Sequence, residues 1–358
     1  MRIGNLDLGN KLILAPMAEV TDSSFRKIAK EFGAGLTFTQ MVNAEGVVRN
    51  HFGTLKLLSF NRSEKPIGVQ ILGNEPEIIG ESVKEISKFN PDIIDLNCGC
   101  PVEKVVNKKM GSALLDDLNL LGKLIRKMKD NSNGIPISIK VRLGKDRNHI
   151  NIIDTVRTAQ DNGADVVFVH ARARTDKYNQ EPNWEWVKRL KEQFEINIVG
   201  NGSVFTPQQA KDLIESTGAD SIMIARGALG NPFIFSRYDH LVQYGEDPGA
   251  ADILTVKNTI LRHLDYLVND LGEFWSLDKA KKNVIWYFHY FNGVKFILDR
   301  IFALNSISEI KELVNEHSYN LLNYKYEYDD LSINHKKFKR KVLFWLNEIK
   351  EEVTSEVN

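Results

Sequence analysis

Eight short apolar runs, each followed by a longer amphipathic stretch, fill roughly the first 230 residues, and this alternation limits the possible folds more than any other feature. The runs cover residues 12–15, 35–39, 67–72, 93–97, 137–141, 166–170, 196–200 and 221–225. Between them the spacing predicts helices over 23–32, 75–89, 117–129, 150–162, 184–194 and 207–216, the last opened by Thr206 as N-cap with Pro207 at the first helical position. Short branched runs separated by helical crossovers are the pattern of a parallel sheet, because parallel neighbours cannot be joined by a tight hairpin. Eight such units predict an α/β fold closed into a (β/α)8 barrel; an open doubly wound sheet uses fewer strands.

Past about residue 243 the alternation stops, and 252–270, 278–292 and 308–323 read as helices, with 299–303 as a turn or helix end. The expected division is therefore a catalytic barrel over 1–242 and a small all-helical domain over 243–358. A basic final helix is expected at 335–350, carrying Lys336, Lys337, Lys339, Arg340 and Lys341. Hydrophobic residues at 42% and charged residues at 26% exclude a disordered or fibrous chain. The first residues lack an apolar targeting core and no apolar run reaches the ~18 residues of a membrane span, so the expectation is a cytoplasmic protein with no membrane partner. Lys plus Arg and Asp plus Glu number 47 each, so net charge says nothing about nucleic acid, although a basic face can exist within a neutral total. Two cysteines one residue apart cannot build a disulfide framework or a four-ligand zinc site, and no metal is expected.

A barrel makes a prediction about sites: polar residues at the C-terminal ends of its strands gather on one face. Here strand after strand ends in reactive or ligand-capable groups, namely Pro16-Met17, Gln40, Gln70, Asn97 followed by Cys100, Lys140 with Arg142, His170, Asn201 and Arg226. Cys100 sits in a Gly/Pro turn after a strand, where a mostly protonated thiol can serve as general acid; packing as a small hydrophobe is the alternative, and the one favoured for Cys98. Lys140 closes an otherwise apolar strand, so its ammonium either meets an electron-rich partner such as a reduced flavin or snorkels outward. His170 is compatible with hydrogen bonding to a ring system and equally with a structural histidine. The turns Gly200-Asn201-Gly202 and Ala225-Arg226-Gly227 follow the seventh and eighth runs, where barrels often bind phosphate.

Taken in order, these motifs resemble the tRNA-dihydrouridine synthase family, in its bacterial two-domain form. The resemblance rests on Leu14-Ala15-Pro16-Met17, Thr21-Asp22, Phe25-Arg26, Gln70-Ile71-Leu72-Gly73, the stretch 95–101, Lys104-Val105, Gly111-Ser112-Ala113-Leu114-Leu115, Lys140-Val141-Arg142, the stretch 170–174, Gly200-Asn201-Gly202, Met223-Ile224-Ala225-Arg226-Gly227-Ala228 and Gly230-Asn231-Pro232. It implies reduction of the C5–C6 double bond of particular uridines in tRNA, with FMN as cofactor and NADPH (or NADH) as reductant. It implies that Cys100 protonates C5, that Pro16, Met17, Gln70, Lys140, His170, Asn201, Gly202, Arg226 and Gly227 hold FMN, and that Asn97, Arg142, Arg172 and Arg174 address the RNA. In the helical region Lys281-Lys282-Asn283-Val284-Ile285-Trp286-Tyr287, with Gly293 and Arg300, resembles the family's tRNA-gripping domain, so Lys281 and Lys282 are expected on phosphates of a tRNA bound by a monomer. The pattern departs at Asn283, where histidine is common, and at Ala171 and Ala173, where glycine and threonine are frequent. Two other functions fit parts of the chain: an FMN barrel acting on a free small molecule, of the dihydroorotate dehydrogenase or ene-reductase kind, and an RNA-binding factor with a spent active site.

Overall fold

The computed structural model describes residues 1–323 and 326–331. Eight of the nine parallel strands in one sheet form the barrel: β1 (Ile13–Leu14), β2 (Thr37–Phe38), β3 (Ile67–Leu72), β4 (Ile93–Cys98), β5 (Ile137–Arg142), β6 (Val166–His170), β7 (Asn197–Asn201) and β8 (Ser221–Ile224); the ninth, Val42–Asn43, pairs with the end of β3. They pair in the order β1-β8-β7-β6-β5-β4-β3-β2, and a parallel bridge between Ile13 and Leu36 returns the ring to β1. This is the (β/α)8 barrel that the alternation predicts.

Helices α1 (Ser23–Glu31), α2 (Pro76–Ser87), α3 (Leu118–Asn131), α4 (Ile152–Asp161), α5 (Glu185–Gln193) and α6 (Pro207–Thr217) return the chain between strands. Three of these starts carry a capping side chain, at Asp22, Asp117 and Thr206. The Asp22 carboxylate accepts from the Phe25 N–H, and Thr206 and Gln209 form a reciprocal capping box ahead of Pro207. Strand ends fall within a residue or two of expectation, as caps and frayed turns allow.

The barrel interior follows from a period of two. Ile13, Ala15, Leu36, Phe38, Ile93, Val166, Phe168, Val199 and Met223 pack together inside the ring, and Ile3 and Leu8, from the N-terminal hairpin and the loop after it, join them. Two residues further along three of these strands the same inward face turns polar: Ile93 leads to Asp95 and Asn97, Phe168 to His170, Val199 to Asn201. Cross-strand register adds Gln70 beside Asp95, and Lys140 and Arg142 beside Phe168 and His170. An apolar floor thus carries a polar mouth.

Gly68 shows how tightly the floor is filled, since a methyl group there would enter the ring of Phe38 and touch the side chain of Ile93. Gly68→Ala is expected to destabilise the barrel by about 1–3 kcal/mol, read as a lower denaturation midpoint. An unchanged midpoint would mean that Phe38 can move aside.

The chain divides into two compact units after Ala225. This corrects the expected boundary at 242, because helix α7 (Phe233–Tyr244) belongs to the second unit: its Arg237 pairs with Asp247 at 2.7 Å and with Asp330 at 2.8 Å. Sequence reading passes over α7 because it opens on Phe-Ile-Phe after Pro232, which offers no capping side chain. The second unit continues with α8 (Ile253–Leu271), α9 (Glu273–Phe288), α10 (Val294–Arg300) and α11 (Ile307–Asn323). Gly230, at φ +65°, lies directly against the backbone of Trp286 and Tyr287, and the Tyr290 hydroxyl donates to the Leu229 carbonyl at 2.8 Å. The basic stretch 335–350 lies outside the described residues.

Candidate active site

The first site residue is set by a loop. After β1, the Met17 carbonyl accepts from Thr21 and the Met17 N–H donates to the Thr21 hydroxyl, 3.0 Å away, which folds Pro16-Met17 into a tight turn. That turn is braced from behind by Arg26, whose guanidinium donates to the Thr21 carbonyl at 2.8 Å and to Glu64 at 2.6 Å. Both partners of this ion pair are buried.

At the ends of β3, β4 and β5 the inward side chains form one row. The Asn97 Oδ1 accepts from the N–H groups of Gly99 (3.1 Å) and Cys100 (2.9 Å), so the strand turns sharply and Cys100 follows at once. The amide nitrogen of Asn97 donates to Gln70 Oε1 at 2.9 Å, and Gln70 Nε2 donates to Asp95 at 2.7 Å. Ser138 donates to the other oxygen of Asp95, also at 2.7 Å. Burial pushes the Asp95 carboxyl up to about 6, against the pull of these two donors and of Lys140. From below, Ser112 holds the Cys100 carbonyl with both its N–H (3.0 Å) and its hydroxyl (2.9 Å).

Two cations complete the mouth. Lys140 is pulled down to about 8 by burial and then by Arg142, and its hydrogen-bond acceptor is the neutral Asn201 Oδ1 at 3.3 Å. Asn201 is itself fixed by donating to the Met223 carbonyl at 2.7 Å. A half-buried ammonium offered one long neutral contact is suited to an electron-rich group such as the edge of a flavin. Arg142 donates Nε to the Gly99 carbonyl (3.0 Å) and Nη1 to the Ala173 carbonyl (2.7 Å). Burial pushes the Cys100 thiol above its ordinary value, opposed by the Val102 N–H, Arg142 and Lys140. The thiol therefore keeps its proton at neutral pH, and Arg142 and Lys140 are the charges that would favour its thiolate. Cys98 points to the opposite face and is wholly buried, as its packing role predicts.

Several expected ligand residues are used by the protein itself. Arg172 is 1% exposed and donates to the Tyr178 and Gln180 carbonyls and to the Ser203 hydroxyl, with His170 Nε2 3.3 Å from its Nη1. It clamps the loop after β6. Arg174 donates to the Ser112 carbonyl at 2.6 Å and to Asp116 at 2.8 Å, bracing the turn that holds Cys100. A methyl on Gly200 would enter Trp184, and one on Gly202 would lie 2.9 Å from Pro182, so both glycines make room for the segment before α5. Arg226 and Gly227 open the second unit in a 3-10 turn over Arg226–Ala228. Lys281 does not reach outward: at 9% exposure it shares the inner stripe of α9 with Val284, Ile285 and Phe288, its Nζ 3.5 Å from the Phe302 carbonyl. Lys282 lies 5.2 Å from the centre of the Trp286 ring.

Asp95, Ser138, Ser112 and Glu64 escaped the sequence reading as site residues. The available signal was the inward period of two, which places Asp95 on the same face as Asn97.

The family description "Dihydrouridine synthase (Dus)" matches residues 13–323. The chain belongs to the dihydrouridine synthase family. It is 35% identical over 295 residues to tRNA-dihydrouridine synthase B of Pseudomonas aeruginosa, covering 82% of this chain and 89% of that one. Identity to a probable tRNA-dihydrouridine synthase of Rickettsia conorii is 34% over 288 residues, 80% of this chain and 87% of the relative. Against the tRNA-dihydrouridine synthase B of Pasteurella multocida it is 34% over 319 residues, 87% and 93% of the two. Among solved structures, the 6-hydroxypseudooxynicotine amine oxidase of Pseudomonas geniculata N1 superposes with a TM-score of 0.55 at 13% identity, over 72% of this chain and 52% of that chain. That likeness is one of fold.

Proposed function

We propose that this family member is a tRNA-dihydrouridine synthase, with FMN at the barrel mouth and Cys100 as the proton donor. The observation that carries the reading is the Cys100 turn, whose backbone is held by Asn97 and Ser112 and whose thiol, pushed up by burial, feels the charges of Arg142 and Lys140. Pro16, Met17, Gln70, Lys140, His170 and Asn201 are the barrel residues suited to hold the flavin, with Gly202, Arg226 and Gly227 toward its phosphate. When bound, the flavin supplies the hydride for C6 of the uracil. Cys100 gives its proton to C5, which saturates the double bond, and Arg142 and Lys140 stabilise the thiolate left behind. Asn97 donates to Gln70 and, at 3.6 Å, to Met41 Sδ; that weak sulfur contact is the one a uracil carbonyl would replace. Because carbon accepts protons slowly, a fixed acid at the rim gives a large advantage over water.

The target base must leave its stack to reach this mouth, which places the action at an accessible loop of the RNA. NADPH is the proposed reductant and the cytoplasm the proposed compartment. Among the described residues no helix is long and apolar enough to cross a membrane. The test is direct. Purified protein is expected to be yellow, to bleach with NADPH and to introduce dihydrouridine into unmodified tRNA, read by mass spectrometry of the digested RNA. Faster reduction of free uracil or of an enone than of tRNA would favour the small-molecule enzyme; a colourless protein that still bound tRNA would favour the binding factor.

A further inference from the structure

The row from Cys100 to Asp95 has a direction. At one end the Gly99 and Cys100 N–H groups can only donate, so the Asn97 side-chain oxygen must face them. Its amide nitrogen must then face Gln70, whose oxygen accepts. The Gln70 nitrogen is thereby turned to Asp95, where the row needs an acceptor to stop on. A carboxylate is the group that supplies one, and Ser138 holds its second oxygen. Every donor in the row points the same way, toward Asp95.

We infer that Asp95 is a positioning residue: as the terminal acceptor it fixes which way the Gln70 and Asn97 amides face, and through them the turn that presents Cys100. The inference rests on the proposed function for its kinetic consequence and on geometry alone for the turn. With the row set this way, Gln70 keeps an amide hydrogen to offer whatever lies in the mouth, while the Asn97 amide nitrogen also reaches Met41 Sδ, a weak acceptor, at 3.6 Å. Were the Gln70 amide reversed, two NH2 groups would face each other between Gln70 and Asn97, and Asn97 would lose its hold on one side. Chain geometry makes the arrangement economical, because Asp95 and Asn97 are two apart on β4 and Gln70 is the register partner of Asp95 on β3.

Two variants separate orientation from charge. Asp95→Asn keeps an oxygen for Gln70 and can turn its own amide to Ser138, whose hydroxyl accepts as well as donates. Asp95→Leu has similar bulk and ends the row on methyl groups. The experiment uses the full-length protein with its bound flavin and measures kcat and KM on unmodified tRNA. Alongside, the alkylation rate of Cys100 by iodoacetamide is followed by peptide mass spectrometry, with buried Cys98 as the internal reference.

Asp95→Asn is expected to keep kcat within about threefold of wild type and Asp95→Leu to lose about 10- to 100-fold, the scale of one buried amide left unsatisfied. Cys100 alkylation is expected to accelerate in the leucine variant alone, as its turn loosens. Equal behaviour of the two variants, whether both active or both impaired, overturns the inference. Should the leucine variant not fold, the pair Ser138→Ala and Asp95→Asn decides: each alone is mild, but together they leave the asparagine amide with nothing to orient it. A double variant no worse than the product of the singles overturns the inference. If wild type makes no dihydrouridine, the functional reading fails while the alkylation comparison still decides the role of Asp95.

Discussion

Replacing Cys100 with alanine is expected to lower dihydrouridine formation by about 10²- to 10⁴-fold, the range over which a positioned general acid contributes. The loss should sit in kcat, because the thiol enters only as the proton moves, while Gln70, Asn97, Lys140 and Arg142 keep their own partners. Flavin content and tRNA affinity are expected to stay near wild type. The pH profile carries a second check. A proton donor must be protonated, so activity falls as pH rises through the thiol pKa; burial places that fall above the ordinary thiol value of 9.0. The thiol itself therefore adds no limb across neutral pH, and a fall near 8 would belong to Lys140. Retained turnover in Cys100→Ala would remove the thiol from the reaction, and a limb falling near neutrality would assign the proton to another group.

The second large effect concerns stability. Glu64→Ala is expected to cost about 3–5 kcal/mol, because it leaves Arg26 buried without a counter-charge. The carboxylate also accepts from Ser23 and from the Asn61 N–H, both at 2.8 Å, so one change opens α1, the Met17 turn and the segment before β3 together. Thermal unfolding of the barrel should fall by on the order of 10 °C. Removing both charges at once, Arg26→Met with Glu64→Leu, is expected to recover much of that loss, since no lone charge then remains buried. The exposed pair of Arg157 and Asp154, 3.2 Å apart, is the control: its disruption should cost under about 1 kcal/mol. A Glu64→Ala cost as small as that control would show that water reaches Arg26.

Sequence alone determined the barrel and the face on which its strand-end polar residues gather. Eight apolar runs bounded by caps such as Thr206-Pro207 are local signals, and parallel strands with crossovers have few ways to close. Strand-end residues such as Gln70, Asn97, Lys140 and His170 were legible for the same reason, since their position along a strand fixes the face and end on which they emerge. Only the tertiary structure decided which of the polar residues are available and which are consumed. Arg172 and Arg174 look like ligands in the sequence because a guanidinium's partners are invisible there; in the fold they clamp the Gln180 loop and the Ser112 turn. Lys281 looks like a phosphate contact until its place on the inner stripe of α9 turns it inward. Asp95 is silent in the sequence because its role depends on the direction of three hydrogen bonds across β3, β4 and β5. The direction of a hydrogen bond is a property of two partners in space, and no single residue carries it.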